Sequence, residues 1–253
     1  SNEGKGAFMK IQFLGCGDAF GSGGRLNTCF LVDTADNRFL IDCGATSLVA
    51  MNRCGVDPNS IDMILLSHLH GDHFGGVMFM LVHAHSAAKR DRPLLIAGPR
   101  TTEQRVMEGL ENLYPGSSRN PWRFDLSFEE FEVEKEWRRG PVSVTAFQAA
   151  HKAGEGPALA LRIGVEGKTV TYSGDGAWSD GLAKAAAGVD LFIAETNFYD
   201  KQVNFHMNLK TLMEHMGEIA PKRLILTHMD EDMLERVKTM DFETAEDGKI
   251  VEI

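Results

Sequence analysis

The sequence predicts an α/β fold in which two sheets pack face to face and helices cover the outer faces. Short apolar segments rich in branched and aromatic residues indicate strands, and longer segments with helical spacing lie between several of them. The first half of the chain mixes hairpins with crossovers, and the second half repeats that mixture. Sheets and helices that are apolar on one side must bury it, so we expect a layered arrangement.

The predicted elements follow the chain in order, and Gly, Pro or polar residues separate them. The predicted strands span residues 10–14, 28–32, 38–41, 63–67, 94–97, 142–147, 158–163, 169–172, 191–194 and 223–227. The predicted helices span residues 74–88, 101–113, 181–187 and 209–219. The Pro-, Gly- and Ser-rich stretch 114–122 indicates a surface loop.

Length and composition are those of an ordinary globular protein. The 253 residues are 43% hydrophobic and 25% charged, which is enough for one large domain with a substantial core. Residues 9–253 are predicted to form that domain, and residues 1–8 are interpreted as a vector-derived remnant or a loose leader. No apolar stretch approaches the roughly 20 residues of a membrane span, and the N-terminus lacks the pattern of a signal peptide.

The run 67–76 carries the strongest chemical signal in the chain. Within six residues, directly after an apolar run, it holds three imidazoles and a carboxylate. These are His68, His70, Asp72 and His73. Alternate residues of an extended segment point to one side, and Gly71 is expected to let the chain turn toward a neighbouring point. Imidazoles and carboxylates suit zinc and similar divalent ions, so this run predicts ligands for two adjacent ions.

Three more candidate ligands follow predicted strands in the second half. His151 comes after the strand 142–147, Asp175 after 169–172, and His228 at the end of 223–227. Strand ends are where α/β sheets usually present functional groups. A carboxylate between two glycines can approach two ions, which makes Asp175 the natural bridge. Each of these residues taken alone could equally have a structural role, but their joint placement at strand ends indicates that they bind metal.

Cysteine usage and net charge restrict the cellular compartment and the kind of partner that the sequence allows. Four cysteines in 253 residues, with no CxxC pair, indicate reduced thiols in a cytoplasmic protein rather than a disulfide scaffold. The formal net charge of −10 argues against a long nucleic acid as partner, because such proteins usually carry a basic face. Bound divalent ions would make the site locally positive, so a small anionic substrate is compatible with this charge.

These residues resemble the metallo-β-lactamase fold superfamily, which implies a four-layer αββα sandwich. The motif His68-Leu69-His70-Gly71-Asp72-His73 and the later His151, Asp175 and His228 carry the resemblance over residues 9–253. Within the superfamily the chain is similar to the ribonuclease Z-like branch and its phosphodiesterase and arylsulfatase relatives. The runs Phe13-Leu14-Gly15-Cys16-Gly17-Asp18 and Leu40-Ile41-Asp42-Cys43-Gly44 resemble that branch as well.

The resemblance implies a role for each candidate. One ion would be held by His68, His70 and His151, and the other by Asp72, His73 and His228, with Asp175 shared. The resemblance also implies two divalent ions. Zinc is the first candidate for both, and manganese and iron are the alternatives. Glu195 and His206 match a glutamate and a histidine that act near the leaving group in the ribonuclease Z branch.

The chain also departs from that branch. Ribonuclease Z enzymes insert an arm that grips tRNA between the positions of His151 and Asp175, whereas residues 158–173 provide only a hairpin here. Gly176 replaces the Thr often found after the bridging aspartate. The missing arm favours a smaller substrate than tRNA, whereas the loss of the Thr weakens a supporting hydrogen bond without removing a ligand.

The sequence therefore predicts a binuclear metal-dependent hydrolase that attacks a small phosphodiester through a metal-bound hydroxide. Asp72 is expected to orient the nucleophile as well as bind metal, and His206, held by Glu195, to protonate the leaving oxygen. The alternatives are hydrolysis of an aryl sulfate, lactone or thioester, ribonuclease Z-type tRNA 3′ processing, and a catalytically silent metal-bound sensor. The expected partner is a small anionic ester substrate, and no membrane partner is expected. A homodimer is compatible with the sequence.

Overall fold

Two mixed β-sheets pack against each other, and helices lie on both outer faces. The computed structural model describes residues 8–253, so the interpretation of residues 1–8 falls, apart from Phe8, outside the described residues. The described strands are β1 (Lys10–Gly15), β2 (Cys29–Asp33), β3 (Arg38–Ile41), β4 (Met63–Leu65), β5 (Leu94–Gly98), β6 (Leu126–Glu130), β7 (Glu136–Arg139), β8 (Val142–Ala153), β9 (Gly156–Val165), β10 (Lys168–Tyr172), β11 (Leu191–Glu195), β12 (Leu224–Thr227) and β13 (Ile250–Glu252). The described α-helices are α1 (Ser47–Arg53), α2 (Gly71–Phe74), α3 (Gly76–Val82), α4 (Thr102–Leu113), α5 (Asp180–Ala186), α6 (Leu209–Ile219) and α7 (Glu231–Val237).

Each sheet combines hairpins with crossovers, as expected. The first sheet has the order β13-β1-β2-β3-β4-β5-β6, and the second has the order β12-β11-β10-β9-β8-β7. Strands β3 to β6 run parallel, as do β10 to β12, and the other neighbours are antiparallel. Helical crossovers connect most of the parallel strands, which is the connection that parallel pairing requires.

Three apolar layers hold this arrangement together. Side chains from both sheets, among them Phe13, Phe30 and Tyr172, form the central layer. A second layer lies between the first sheet and helices α1, α3 and α4. A third lies between the second sheet and helices α5, α6 and α7. Burial of apolar surface on both faces of each sheet is the main stabilising contribution of this architecture.

Local sequence accounts for the best-predicted helices. In α4 the buried residues Thr102, Val106 and Leu110 repeat every four positions, which puts them on one helix face. Helix α6 has the predicted bounds, and the Asn208 side chain caps it by accepting a hydrogen bond from the amide of Thr211 at 2.9 Å.

Other element bounds differ from the predictions. The segment predicted as one helix over 74–88 contains part of α2, then α3, and ends in a π-helical turn at His83–Ala87. Strand β8 continues to Ala153, so His151 lies inside a strand rather than after one. Strands β6, β7 and β13 and helices α1 and α7 were not predicted. Strand β7 is an exposed edge strand of sequence Glu-Trp-Arg-Arg, and its charge masked the strand pattern.

Within the described residues, no helix has both the length and the apolar character that crossing a bilayer requires.

Candidate metal centre

Strand ends from both sheets bring the candidate ligands together at one edge of the sandwich. His68 and His70 follow β4 of the first sheet, while Asp175 and His228 follow β10 and β12 of the second. His151 lies near the C-terminal end of β8 and reaches the same place from there. All seven sequence-predicted ligands therefore meet in two adjacent groups.

The first group consists of His68, His70 and His151. Their ring centroids form a nearly equilateral triangle, with separations of 4.8, 5.0 and 5.0 Å. The donor atoms of all three lie within 4.8 Å of one another. Three imidazoles that converge in this way provide the nitrogen donors of a zinc-type site.

The second group consists of Asp72, His73, Asp175 and His228. His73 Nε2 lies 3.1 Å from Asp72 Oδ2 and 3.2 Å from Asp175 Oδ1. His228 Nε2 lies 3.3 Å from Asp72 Oδ2 and 3.5 Å from Asp175 Oδ2. Asp175 Oδ2 is also 4.0 Å from His68 Nε2 in the first group. Asp175 is thus a carboxylate whose oxygens lie near Nε2 donors of both groups.

Buried polar atoms without hydrogen-bond partners show what these groups fit. Among the described residues, His68 Nε2, His73 Nε2 and Asp175 Oδ1 are buried and form no hydrogen bond. Leaving such atoms unpaired costs about 1–3 kcal/mol each, unless a ligand satisfies them. All three belong to residues of the two donor groups, so the clusters fit divalent metal ions.

Asp42 orders the first-sheet ligands from behind. Its Oδ1 accepts a hydrogen bond from the Ser67 amide at 2.7 Å, and its Oδ2 accepts one from the Ser67 hydroxyl at 2.7 Å. Asp42 Oδ2 also lies 2.7 Å from His73 Nδ1. Ser67 has one hydroxyl proton and gives it to Asp42, so its oxygen accepts from His68 Nδ1 at 3.1 Å. Both imidazoles are therefore held with Nε2 free to bind metal.

The second-sheet imidazoles have different supports. His151 Nδ1 donates to the carbonyl oxygen of Phe205 at 2.8 Å, which leaves its Nε2 facing the first group. The Asn197 side-chain amide lies 3.2 Å from both His228 Nδ1 and the His228 carbonyl oxygen. Asn197 is buried and lines the cavity in front of the site.

The pKa values separate the two groups. Burial lowers the pKa of His68 well below its usual range, and burial also lowers the pKa of His70 and His151. The first group is therefore made of neutral imidazoles, the form that binds metal. Burial would lower the pKa of His73 as well, but the carboxylates of Asp175 and Asp72 raise it well above its usual range. The second group therefore attracts positive charge.

Glu195 and His206 form a pair at the edge of the metal groups. Glu195 ends β11 and is buried, and its Oε1 lies 2.5 Å from His206 Nδ1. The amide of Gly176 donates to Glu195 Oε2 at 2.6 Å. Burial and the nearby Asp175 carboxylate raise the pKa of Glu195 well above its usual range. Glu195 therefore engages His206 through Nδ1, and the His206 side chain lines the cavity.

A cavity of about 610 Å³ opens in front of both groups. Asp72, Asp175 and His206 line its floor together with other site residues, and the loop after β1 and the segment after β11 form its rim. Its volume lies in the range of small-molecule sites. Small substrates can therefore reach the donor atoms.

Glycines allow the backbone to approach the site closely. A Cβ on Gly44 would lie 2.2 Å from the carbonyl oxygen of Asp72, and Gly174, at φ +60°, would place one 2.4 Å from the Leu159 carbonyl oxygen. Gly71 differs from the expectation, because it begins helix α2 and a Cβ there would meet nothing within 4 Å. The helical turn, rather than the special freedom of glycine, directs Asp72 and His73 to the second group.

Sequence reasoning missed the supports that come from distant segments. Ser67, Asn197 and the Phe205 carbonyl group each contact a candidate ligand, and Lys201 lies on the cavity wall. Ser67 adjoins the motif and could have been found there. The other three lie in an irregular segment whose only sequence signal is its position after a strand.

Comparisons with known proteins agree with this geometry. The model of the family described as anti-Pycsar protein Apyc1 matches residues 9–249. The probable metallo-hydrolase YhfI of Bacillus subtilis (strain 168) is 25% identical over 228 residues, covering 87% of each chain. Anti-Pycsar protein Apyc1 of Paenibacillus xerothermodurans is 27% identical over 231 residues, covering 89% of each. The ribonuclease Z of Methanothermobacter thermautotrophicus is 26% identical over an alignment of 274 positions, covering 87% of this chain and 86% of the enzyme.

A solved structure confirms the predicted fold. The crystal structure of YhfI, a metallo-β-lactamase fold protein of Bacillus subtilis, superimposes with a TM-score of 0.79 at 23% identity. The match covers 98% of this chain and 100% of that one. The predicted sandwich of two sheets between helical layers is therefore correct.

Proposed function

The chain belongs to the family described as anti-Pycsar protein Apyc1 and is a metal-dependent hydrolase, and we propose that it hydrolyses a small phosphodiester with two divalent ions, zinc first. One observation carries the proposal. Two donor groups lie side by side, with Asp175 of the second 4.0 Å from His68 of the first, and the His206–Glu195 pair stands beside them at one cavity. Relatives named as ribonuclease Z split phosphodiester bonds, which supports the choice of ester.

The residues present would hold the ions in the two groups described above. His68, His70 and His151 would hold one, and Asp72, His73 and His228 the other, with Asp175 between them. Two divalent ions lower the pKa of bound water and offset the negative charge that develops in the transition state. Because the acceptors Asp42, Ser67 and the Phe205 carbonyl fix the imidazoles, little reorganisation accompanies binding.

The reaction also needs a proton at the leaving oxygen. His206 has the required access, since 28% of its side chain is exposed and it lines the cavity. Glu195 holds Nδ1, which directs Nε2 toward the substrate and stabilises the protonated imidazole. Asp72, on the opposite wall, can orient the attacking water through its carboxylate.

Charge around the cavity favours a small anion over a polyanion. Among the described residues that line it, Lys201 is the one Lys or Arg, and Asp230 and Glu231 stand at the rim. The net charge of −10 repels a long nucleic acid outside the site. The hairpin between β9 and β10, with Val165 paired to Lys168, leaves no arm for gripping tRNA.

The four cysteines are consistent with a reducing compartment, as a cytoplasmic location would require. All four are free, and burial raises the pKa of Cys29 to about 12. Such thiols react slowly and pack as apolar side chains.

A substrate panel tests the proposal. The protein loaded with Zn²⁺ or Mn²⁺ is assayed with an activated phosphodiester, a cyclic nucleotide, an aryl sulfate, a lactone and a precursor tRNA, with Asp72→Ala as the inactive control. We expect turnover of at least one small phosphodiester and loss of that turnover in the control. Turnover of only the sulfate or lactone would replace the phosphodiester with another ester. Cleavage of tRNA alone would restore the ribonuclease Z alternative, and silence toward every ester with metal bound would favour a sensor.

Metal content tests the binuclear site separately. Elemental analysis after dialysis should find about two ions per chain in the wild type, and about one in His68→Ala or His228→Ala. A content of one ion in the wild type would contradict the shared-carboxylate arrangement.

A further inference from the structure

Phe20 is the most solvent-exposed large apolar side chain in the described part of the protein. It is 93% exposed, while the next ones, such as Ile250 at 52% and Leu113 at 50%, are about half covered. Phe20 lies in the loop after β1 and borders the cavity that contains Asp72 and His206. An exposed phenyl ring therefore stands at the entrance to the catalytic groups.

The loop that carries Phe20 is ordered by a buried carboxylate. Asp18 is 3% exposed, and its Oδ1 accepts hydrogen bonds from the amides of Phe20 at 3.2 Å and Ser22 at 2.9 Å. Its Oδ2 accepts a third from the Ser22 hydroxyl at 2.7 Å. The backbone that presents Phe20 is thus held in place, although the ring itself packs against little.

The ring of Phe20 is available, unlike the other aromatic rings beside the site. The ammonium group of Lys201 lies 5.1 Å from the ring of Phe198, and that of Lys152 lies 5.1 Å from the ring of Phe205. No described aromatic or cationic group stacks on Phe20. A ring that is 93% exposed contributes little to folding, and its place on the cavity lining leaves it free to contact a bound substrate.

We infer that Phe20 is a specificity-determining residue that stacks on a planar ring carried by the substrate. The inference rests on the proposed phosphodiesterase function and adds the chemical class of one substituent, a flat aromatic ring within reach of the loop after β1. Offset stacking between a planar ring and an aromatic side chain has no directional hydrogen-bond requirement. Phe20 would therefore select for the presence of a ring rather than for its identity.

Two phosphodiesters that differ only in the ring provide the test. One is the methyl ester of thymidine 5′-monophosphate, and the other is the methyl ester of 2-deoxyribose 5-phosphate, so neither leaving group carries a ring. In Phe20→Ala, kcat/KM for the base-bearing ester should fall about tenfold, mainly through KM, while that for the base-free ester changes less than twofold. Phe20→Leu should behave like Phe20→Ala, and Phe20→Trp should retain the preference. Leu113→Ala, which removes a half-exposed apolar side chain at the end of α4, is the matched control.

Binding provides a readout that does not need turnover. Thymidine 5′-monophosphate and 2-deoxyribose 5-phosphate are titrated into the metal-loaded protein by calorimetry, and Phe20→Ala should reduce the ratio of their affinities about tenfold. Equal losses for both ligands, or no loss, would overturn the inference. A change in mass on gel filtration with an unchanged ratio would overturn it too, because Phe20 would then contact a second copy of the chain. Failure of the phosphodiesterase proposal would appear differently, as base-dependent binding without hydrolysis of either ester.

Discussion

Asp42 Oδ2 lies 2.7 Å from His73 Nδ1, and both side chains are fully buried. Asp42 has a positive φ of 57°, a conformation that Asp and Asn adopt more readily than most other non-glycine residues. Asp42→Asn therefore changes the charge and acceptors without adding backbone strain. Asn has one oxygen acceptor, whereas the Asp42 carboxylate has two that together serve the Ser67 amide, the Ser67 hydroxyl and His73 Nδ1.

We expect Asp42→Asn to weaken metal binding about 10- to 100-fold while the protein stays folded. Competition with a chromophoric chelator measures the affinity, and circular dichroism checks the fold. Asp62→Asn, at a carboxylate paired with Arg92 away from the site, provides the control. Unchanged affinity in Asp42→Asn would show that the carboxylate does not control the ligand imidazoles.

The effect of removing the His206–Glu195 pair on kcat should depend on the leaving group of the substrate. If His206 protonates the leaving oxygen, His206→Ala should lower kcat about 100-fold or more for an alkyl leaving group. For 4-nitrophenolate, which leaves without a proton, the loss should be less than about tenfold. Glu195→Gln should show the same pattern more weakly, and metal content should stay unchanged in His206→Ala. Equal losses for both leaving groups would point to a structural role.

Lys201 should contribute to the capture of an anionic substrate. Removing its charge in Lys201→Ala should raise KM up to about fivefold at low salt with little change in kcat, since an exposed charge contributes at most about 1 kcal/mol. The difference from the wild type should shrink as ionic strength rises. Lys201→Arg should retain most of the effect, and Lys210→Ala, on the exposed face of α6, should have none. A lower kcat at unchanged KM would contradict this role.

Two glycines near the site should differ in their tolerance of alanine. Gly44→Ala would place a methyl group 2.2 Å from the Asp72 carbonyl oxygen, so we expect a loss of about 1–3 kcal/mol in the free energy of unfolding and weaker metal binding. Gly71→Ala meets open space at the start of a helix, and its unfolding free energy should change by about 0.5 kcal/mol or less. Urea unfolding of the metal-free variants measures both. Similar losses in the two would show that the local packing differs from that described.

Glu243 should stabilise the fold in a pH-dependent way. The guanidinium of Arg223 and the ammonium of Lys249 contact its carboxylate and lower its pKa to about 2. A carboxyl whose pKa is depressed on folding stabilises the protein above its unfolded pKa, and this contribution is lost as the pH falls toward the folded pKa. Because the group is partly exposed, we expect Glu243→Gln to cost about 1 kcal/mol or less at pH 7. The difference between variant and wild type in urea unfolding should fade between about pH 4.5 and pH 2, and a constant difference would exclude this ionic origin.

The sequence predicted the fold class and much of the element order because its signals are local. Helix α6 was predicted with its bounds because an amphipathic run follows the capping Asn208. Strand β7 was missed because edge strands carry charge, and α7 because its seven residues are mostly polar. The break between α2 and α3 was missed because the Gly76 amide donates to the carbonyl oxygen of Cys43, in a distant segment, rather than within a continuous helix.

What the sequence by itself predicted is the candidate donor set, and local geometry accounts for its first four members, because three imidazoles and a carboxylate lie within six residues after a strand. Only the tertiary structure decided how those donors are held and what stands in front of them. His73 depends on Asp42, 31 positions away, and His151 depends on the carbonyl of Phe205, 54 positions away. Such contacts follow from the pairing of strands within each sheet, since Asp42 and His73 come after the neighbouring strands β3 and β4. The meeting of the two donor groups and the position of Phe20 at the cavity follow from the packing of one sheet on the other. Sequence spacing carries no record of distances across that packing.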